Sequence, residues 1–114
     1  MTVQREENAI AVPRYAITVM FEIKIAFYTQ FLALVNENAK TSVHLEPECF
    51  QFDVLTPAVS DKSTTVFLYE IYKDRAAFDD HLASDHFHYF DAATKDMVLQ
   101  KTVVDFLVHK NIKA

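Results

Sequence analysis

The stretch "HLASDHFHYFD", residues 81–91, holds three of the chain's five histidines within eight residues, beside two aspartates and three aromatics. Histidines grouped this way can ligate a metal, move protons, line a pocket or sit on ordinary surface. Metal pairs on a helix need spacings of three or four on one face, with carboxylate or thiol ligands nearby. His81 and His86 are five apart, with a helix break expected between them. His86 and His88 diverge by about 200°, at ~100° per residue. No cysteine pair assists, so spacing predicts no metal ligands, and His88 reads as solvated surface. His81 differs, because it follows Phe78 by three and Ala77 by four and so shares the inward face of a short helix.

Two more polar residues fall on apolar faces. Asn38 follows Leu34 by four on the inward stripe of a long helix, and Glu70 stands in the middle of an apolar strand. A buried carboxylate needs a partner for its charge, and an unpaired buried amide costs roughly 1–3 kcal/mol. A His–Glu or His–Asn contact fixes an imidazole tautomer and brings its titration near neutrality, as proton transfer requires. Each residue alone fits a satisfied structural role equally well, with Asn38 as a helix-end cap. A catalytic reading needs Asn38, Glu70 and His81 to converge on one cavity. Nucleophilic catalysis has less support, since Cys49 precedes a strand without an activating signature, and isolated cysteines are commonly buried and inert.

These residues need a scaffold, and the composition bounds it. The chain has 114 residues, enough for one domain, with residues 1–12 expected as a loose arm and 13–114 as the folded unit. Apolar residues make up 51% and charged residues 24%, ordinary for a globular protein. A net charge of −5 argues against a sequence-independent grip on nucleic acid. Ten Phe and five Tyr suit an apolar pocket or a subunit interface. A single cysteine forms no intrachain disulfide, no stretch approaches the ~20 apolar residues of a membrane span, and "MTVQREENAIAV" lacks the pattern of a signal peptide. A cytoplasmic setting without a membrane partner is the expectation. The absence of glycine rules out Gly-rich phosphate and dinucleotide loops, and it leaves turns of positive φ to Asn or Asp, or avoided.

"RYAITVMFEI" (14–23) alternates, with Tyr15, Ile17, Val19 and Phe21 on one face, and predicts a strand. Phe27, Phe31, Leu34 and Val35 predict a helix to about Lys40. "LEPECFQFDVL" (45–55) opens with a helix-stopping proline and predicts a strand with Phe50, Phe52 and Val54 on one face. Residues 56–64 form a turn region, and 64–73 a third strand. Asp74 caps a short helix, Ser84 or Asp85 caps another through about Met97, and 101–110 is a fourth strand. The order β-α-β-β-α-β is that of a ferredoxin-like, split βαβ α+β sandwich, with helices on one face of an antiparallel sheet. Strands three and four are apolar on both faces, which predicts a cover for the bare face, most economically a second copy in a homodimer.

"LEPECFQFDV" and then "VFLYEIYKDRAAFDDHLASDHFHYF" resemble the antibiotic biosynthesis monooxygenase superfamily of dimeric α+β-barrel proteins. The shared pattern is an acidic-Pro-Gly-Cys run entering a strand, an aromatic strand bearing Glu, then a helix ending in His-Leu, a small linker and His-Phe. The resemblance spans residues 14–110 and is most specific over 67–90. Glu48 replaces the family's glycine, and Lys24 opens the first helix without the usual Pro-Gly turn. The quinol monooxygenases and the enzymes processing a phosphorylated autoinducer-2 signal are the most similar branches. The resemblance implies no metal, flavin or haem, and an electron-rich substrate that itself activates molecular oxygen. By position it assigns Asn38, Glu70 and His81 to meet substrate, and Phe52, Tyr72, His86 and Phe87 to the pocket wall. Three readings stay open. They are a cofactor-independent monooxygenase with His81 oriented by Glu70 or Asn38; a processing enzyme whose phosphate clamp would draw on Arg14, Lys73 and Arg75; and a non-catalytic dimeric binding or stress-response protein.

Overall fold

The computed structural model describes residues 9–59 and 63–110, with side chains from Pro13 onward. Strands β1 (Ala9–Ile23), β2 (Cys49–Leu55), β3 (Thr65–Tyr72) and β4 (Val98–Lys110) form one antiparallel sheet in the order β2-β3-β1-β4. Helix α1 (Tyr28–Leu45), entered through a 3-10 turn at Ile25–Phe27, and helices α2 (Arg75–Leu82) and α3 (Asp85–Thr94) lie on one side. This is the ferredoxin-like α+β sandwich that the element order implies. Of the expected N-terminal arm, residues 1–8 lie outside the described residues, while the strand already includes Ala9. Pairing of β1 with β4 shifts register between Ala9 and Arg14. That interval contains Pro13, which has no N–H to give a ladder.

The alternation in β1 sets the core. Tyr15, Ile17, Val19, Phe21 and Ile23 are buried against Phe31 and Val35 of α1 and Phe90 of α3. α1 runs to Leu45, one turn and more beyond the expected end near Lys40, because nothing interrupts its inward stripe until Pro47. Glu46, the residue before that proline, is extended at φ −103° and ψ 102°, as the proline ring requires of its predecessor. Asp74 Oδ1 accepts the Ala77 N–H at 2.9 Å to cap α2, and Ser84 Oγ accepts the Phe87 N–H at 3.2 Å to cap α3. Without glycine, α1 and α2 end on residues of negative φ, Glu46 at −103° and Ala83 at −91°.

One expectation about β2 is corrected. Phe50 does not share a face with Phe52 and Val54. The register against β3 shifts between Cys49 and Gln51, which makes Phe50 the extra residue of a bulge. A single inserted residue reverses the in–out alternation on one side of it. Cys49, Phe52 and Val54 therefore belong to the core side, while Phe50 is exposed with the Arg14 guanidinium stacked 4.6 Å from its ring centroid.

The helices leave β4 uncovered on both sides. Val103 and Leu107 on the helix side, and Val104 and Phe106 on the other, are 43–58% exposed. Met20 adds to the bare face of the sheet. Among the described residues, no helix is long and apolar enough to cross a membrane.

Candidate active site

A cavity of about 200 Å³ lies between the sheet and the helices, and Asn38, Glu70 and His81 all line it. Each arrives from a different element for a local reason. Asn38 continues the buried stripe of Phe31 and Val35 on α1. Glu70 faces the helices because β3 alternates, opposite Ile17 of β1 and Phe52 of β2. His81 is the last inward residue of α2, and it is buried. Phe52 and Phe87 form the expected wall. Tyr72 and His86 do not line this cavity. Tyr72 is fully buried beneath Glu70, to which its hydroxyl donates at 2.6 Å, and His86 lines a neighbouring groove between α1 and α3.

The partner of His81 is not the expected one. Its Nδ1 lies 2.8 Å from Glu46 Oε2, with Ser42 Oγ at 3.4 Å, whereas Glu70 is bonded to Tyr72. His86 Nε2 bonds the same Glu46 oxygen. The corner between α2 and α3 makes this possible. Ser84 Oγ donates to the His81 carbonyl at 2.7 Å while accepting from Phe87 N–H, so the chain turns sharply and brings His86 back beside His81. Glu46 was legible only as the acidic start of "LEPEC"; its role depends on α1 ending where α2 also ends.

Glu46, His81 and His86 offer three ligand atoms all within 4.8 Å of one another, so among the described residues this group could hold a cation. The expectation that five-residue spacing keeps the two rings apart is therefore corrected: it assumed continuous helix or divergent segments, and the Ser84 corner is neither. The 2.8 Å separation of His81 and Glu46 is that of a hydrogen bond. Neighbouring ligands on tetrahedral zinc, with bonds of ~2.0–2.1 Å, stand about 3.3 Å apart. In this arrangement the carboxylate accepts from two N–H donors.

Electrostatics divide the two carboxylates. Burial pushes the Glu46 carboxyl up, but hydrogen bonds and charge from His81 and His86 outweigh it and hold the group below its ordinary value. An ionised Glu46 fixes the proton of His81 on Nδ1 and leaves Nε2 as the basic nitrogen of a ring lining the cavity. For Glu70 burial wins: it pushes the carboxyl up to about 7, against the pull of the Tyr72 hydroxyl and the His81 and Lys101 charges. Burial also pushes the Cys49 thiol up to about 12, which makes it a poor nucleophile. Around the His81 ring stand Phe52, Tyr72, Phe78 and Phe87, with centroids 5.2–6.2 Å away. Asn38 Oδ1 is buried without a partner among the described residues, so this amide retains bonding capacity that the fold does not use.

None of the three expected phosphate-clamp cations lines the cavity. Arg14 stacks on Phe50, Lys73 pairs with Glu48 at 3.4 Å, and Arg75 pairs with Asp79 at 3.1 Å and donates to the Tyr15 hydroxyl.

The chain is thus a small α+β protein of ferredoxin-like architecture, with a carboxylate-bound histidine lining an apolar cavity between sheet and helices. The family model of the antibiotic biosynthesis monooxygenases matches residues 14–93, and the chain belongs to that family. A protein from Bacteroides thetaiotaomicron, described as a candidate antibiotic biosynthesis monooxygenase, is 24% identical with a TM-score of 0.78, over 89% of this chain and 95% of its own. A second such candidate, from Nitrosomonas europaea, also has 24% identity and a TM-score of 0.78, over 86% and 92%. A third protein, named an antibiotic biosynthesis monooxygenase, is 26% identical with a TM-score of 0.70, over 81% and 95%. No protein of curated function matches the sequence.

Proposed function

We propose that this protein is a cytoplasmic, cofactor-independent monooxygenase acting on a small quinol, phenol or enolisable carbonyl compound. The observation that carries the reading is the Glu46–His81 pair, which leaves His81 Nε2 basic in an apolar cavity. His81 would take the substrate's acidic proton. The resulting electron-rich anion would be the sole reductant of molecular oxygen: one atom enters a substrate oxidised to the quinone or dicarbonyl level, and the other leaves as water with the two hydrogens the substrate loses. Family membership supports this over a non-catalytic binding role, as does the common cavity of Asn38, Glu70 and His81. Processing of a phosphorylated sugar has less support, because Arg14, Lys73 and Arg75 are engaged elsewhere. Oxygen uptake with a panel of quinols, beside a panel of phosphorylated sugars, tests the choice. We expect stoichiometric oxygen consumption with at least one quinol, undiminished by a chelator. Loss of uptake on chelation, or turnover confined to the sugars, would refute the reading.

The working form is proposed to be a homodimer that covers the bare sheet face and β4. Apolar side chains exposed on both sides of one strand are the kind of surface a second copy buries. Light scattering is expected to give twice the 13.1 kDa chain mass, and Phe106→Glu is expected to lower it towards the monomer. A wild-type monomer stable at micromolar concentration is the contrary result.

A further inference from the structure

We propose that Lys101 forms an anion subsite at the β4 side of the cavity and selects ligands whose oxygen facing it is ionised. The subsite deepens the proposed function, since it belongs to the same cavity. Lys101 stands opposite Phe21 in the β1–β4 register, on the face of the sheet turned towards the helices. Its Nζ lies 5.7 Å from the Phe21 ring centroid, and both residues line the cavity. The ammonium thus lies over an aromatic ring of the cavity wall. Among the described residues Lys101 is the one Lys or Arg lining this cavity, and no ion pair there holds it.

The acids around it leave room for an incoming anion. Asp105, two positions on along the same face of β4, accepts the Tyr15 hydroxyl at 2.7 Å. Glu46 is taken by His81 and His86. Glu70 feels the Lys101 charge, but burial favours its neutral form, so it compensates the ammonium only in part near neutrality. Lys101 is exposed, and a ligand oxyanion entering the cavity beside it would pair with its ammonium, with His81 Nε2 as the group that can receive its proton. A volume of about 200 Å³ suits one substituted ring, since a closed apolar cavity of roughly 150 Å³ binds benzene. The class is therefore a single-ring molecule with an ionisable hydroxyl.

Two single-ring probes that differ by one hydroxyl test this: 4-nitrophenol, whose anion absorbs in the visible, and nitrobenzene, which cannot ionise. Each is titrated into the full-length protein by calorimetry, and the bound phenolate fraction is read by absorbance. We expect wild type to bind the phenolate more tightly than nitrobenzene. Lys101→Met should weaken phenolate binding by roughly ten- to a hundredfold, leave nitrobenzene binding unchanged, and lower the ionised fraction of bound dye. Lys101→Arg should retain the preference. Equal loss of both probes, unchanged phenolate binding in Lys101→Met, or wild type binding the two alike would each overturn the subsite. The readout is binding without turnover, so failure of every quinol to consume oxygen would sink the monooxygenase reading and leave this one standing.

Discussion

Replacing His81 with alanine is expected to cut oxygen-dependent turnover by about 10²–10⁴-fold, the range for loss of a positioned general base. His88→Ala is expected to leave turnover within about twofold, as for a surface substitution. The contrast follows from position. His81 is buried, bonded through Nδ1 to Glu46 and ringed by aromatics, whereas His88 is exposed on α3. His86 shares Glu46 but lines the neighbouring groove, so His86→Ala should raise the substrate concentration needed more than it slows the chemistry. Glu46→Gln should fall between the His81 and His88 variants and displace the pH profile, because an amide no longer holds the Nδ1 proton as an ionised carboxylate does. All variants are compared after circular dichroism and light scattering show native folding and assembly. Equal activity in His81→Ala and His88→Ala, or loss confined to His88→Ala, would sink the assignment.

Glu70→Gln is expected to remove a fall in stability that wild type shows between about pH 4.5 and pH 7. Burial raises the Glu70 carboxyl from 4.5 to about 7 in the folded chain. Within that window the native state keeps a proton that the unfolded state has lost. Its contribution is therefore full below about 4.5, declines as pH rises through the window, and is flat above it. The amplitude is on the order of 3 kcal/mol. Glutamine preserves an acceptor for the Tyr72 hydroxyl and has no charge to bury. The variant should match wild type near pH 4.5 and exceed it at pH 8. Glu46 acts with the opposite sign and in a lower range, since its depressed carboxyl loses stability as pH falls through its folded value. The two effects therefore separate along the pH axis. Urea unfolding at pH 5 and pH 8, at fixed protein concentration because assembly contributes, measures the difference. Parallel pH dependence in wild type and Glu70→Gln would contradict the account.

Hydrophobic period was enough to read the elements, because a half-buried strand must alternate and an amphipathic helix must repeat near 3.6. Thus Tyr15 to Phe21 declared β1, and Phe31, Val35 and Asn38 declared the inner face of α1. Asp74 and Ser84 marked the helix starts because their side chains satisfy amide groups only a few residues away. Polar residues on those faces pointed to Asn38, Glu70 and His81, and they line one cavity. Three things depended on contacts distant in sequence. The bulge at Phe50 arises from how β2 meets β3, and alternation within β2 cannot report a partner's register. Which carboxylate holds His81 was decided by the end of α1 arriving beside the end of α2, 35 residues apart in the chain, which gave the role to Glu46 and left Glu70 to Tyr72. His86 joined that carboxylate because Ser84 turns the chain, whereas spacing rules presume one continuous element. Residue type and period thus determined which side chains are buried and polar. Their pairing was decided by tertiary structure, because a hydrogen bond reaches about 3 Å whatever the distance along the chain.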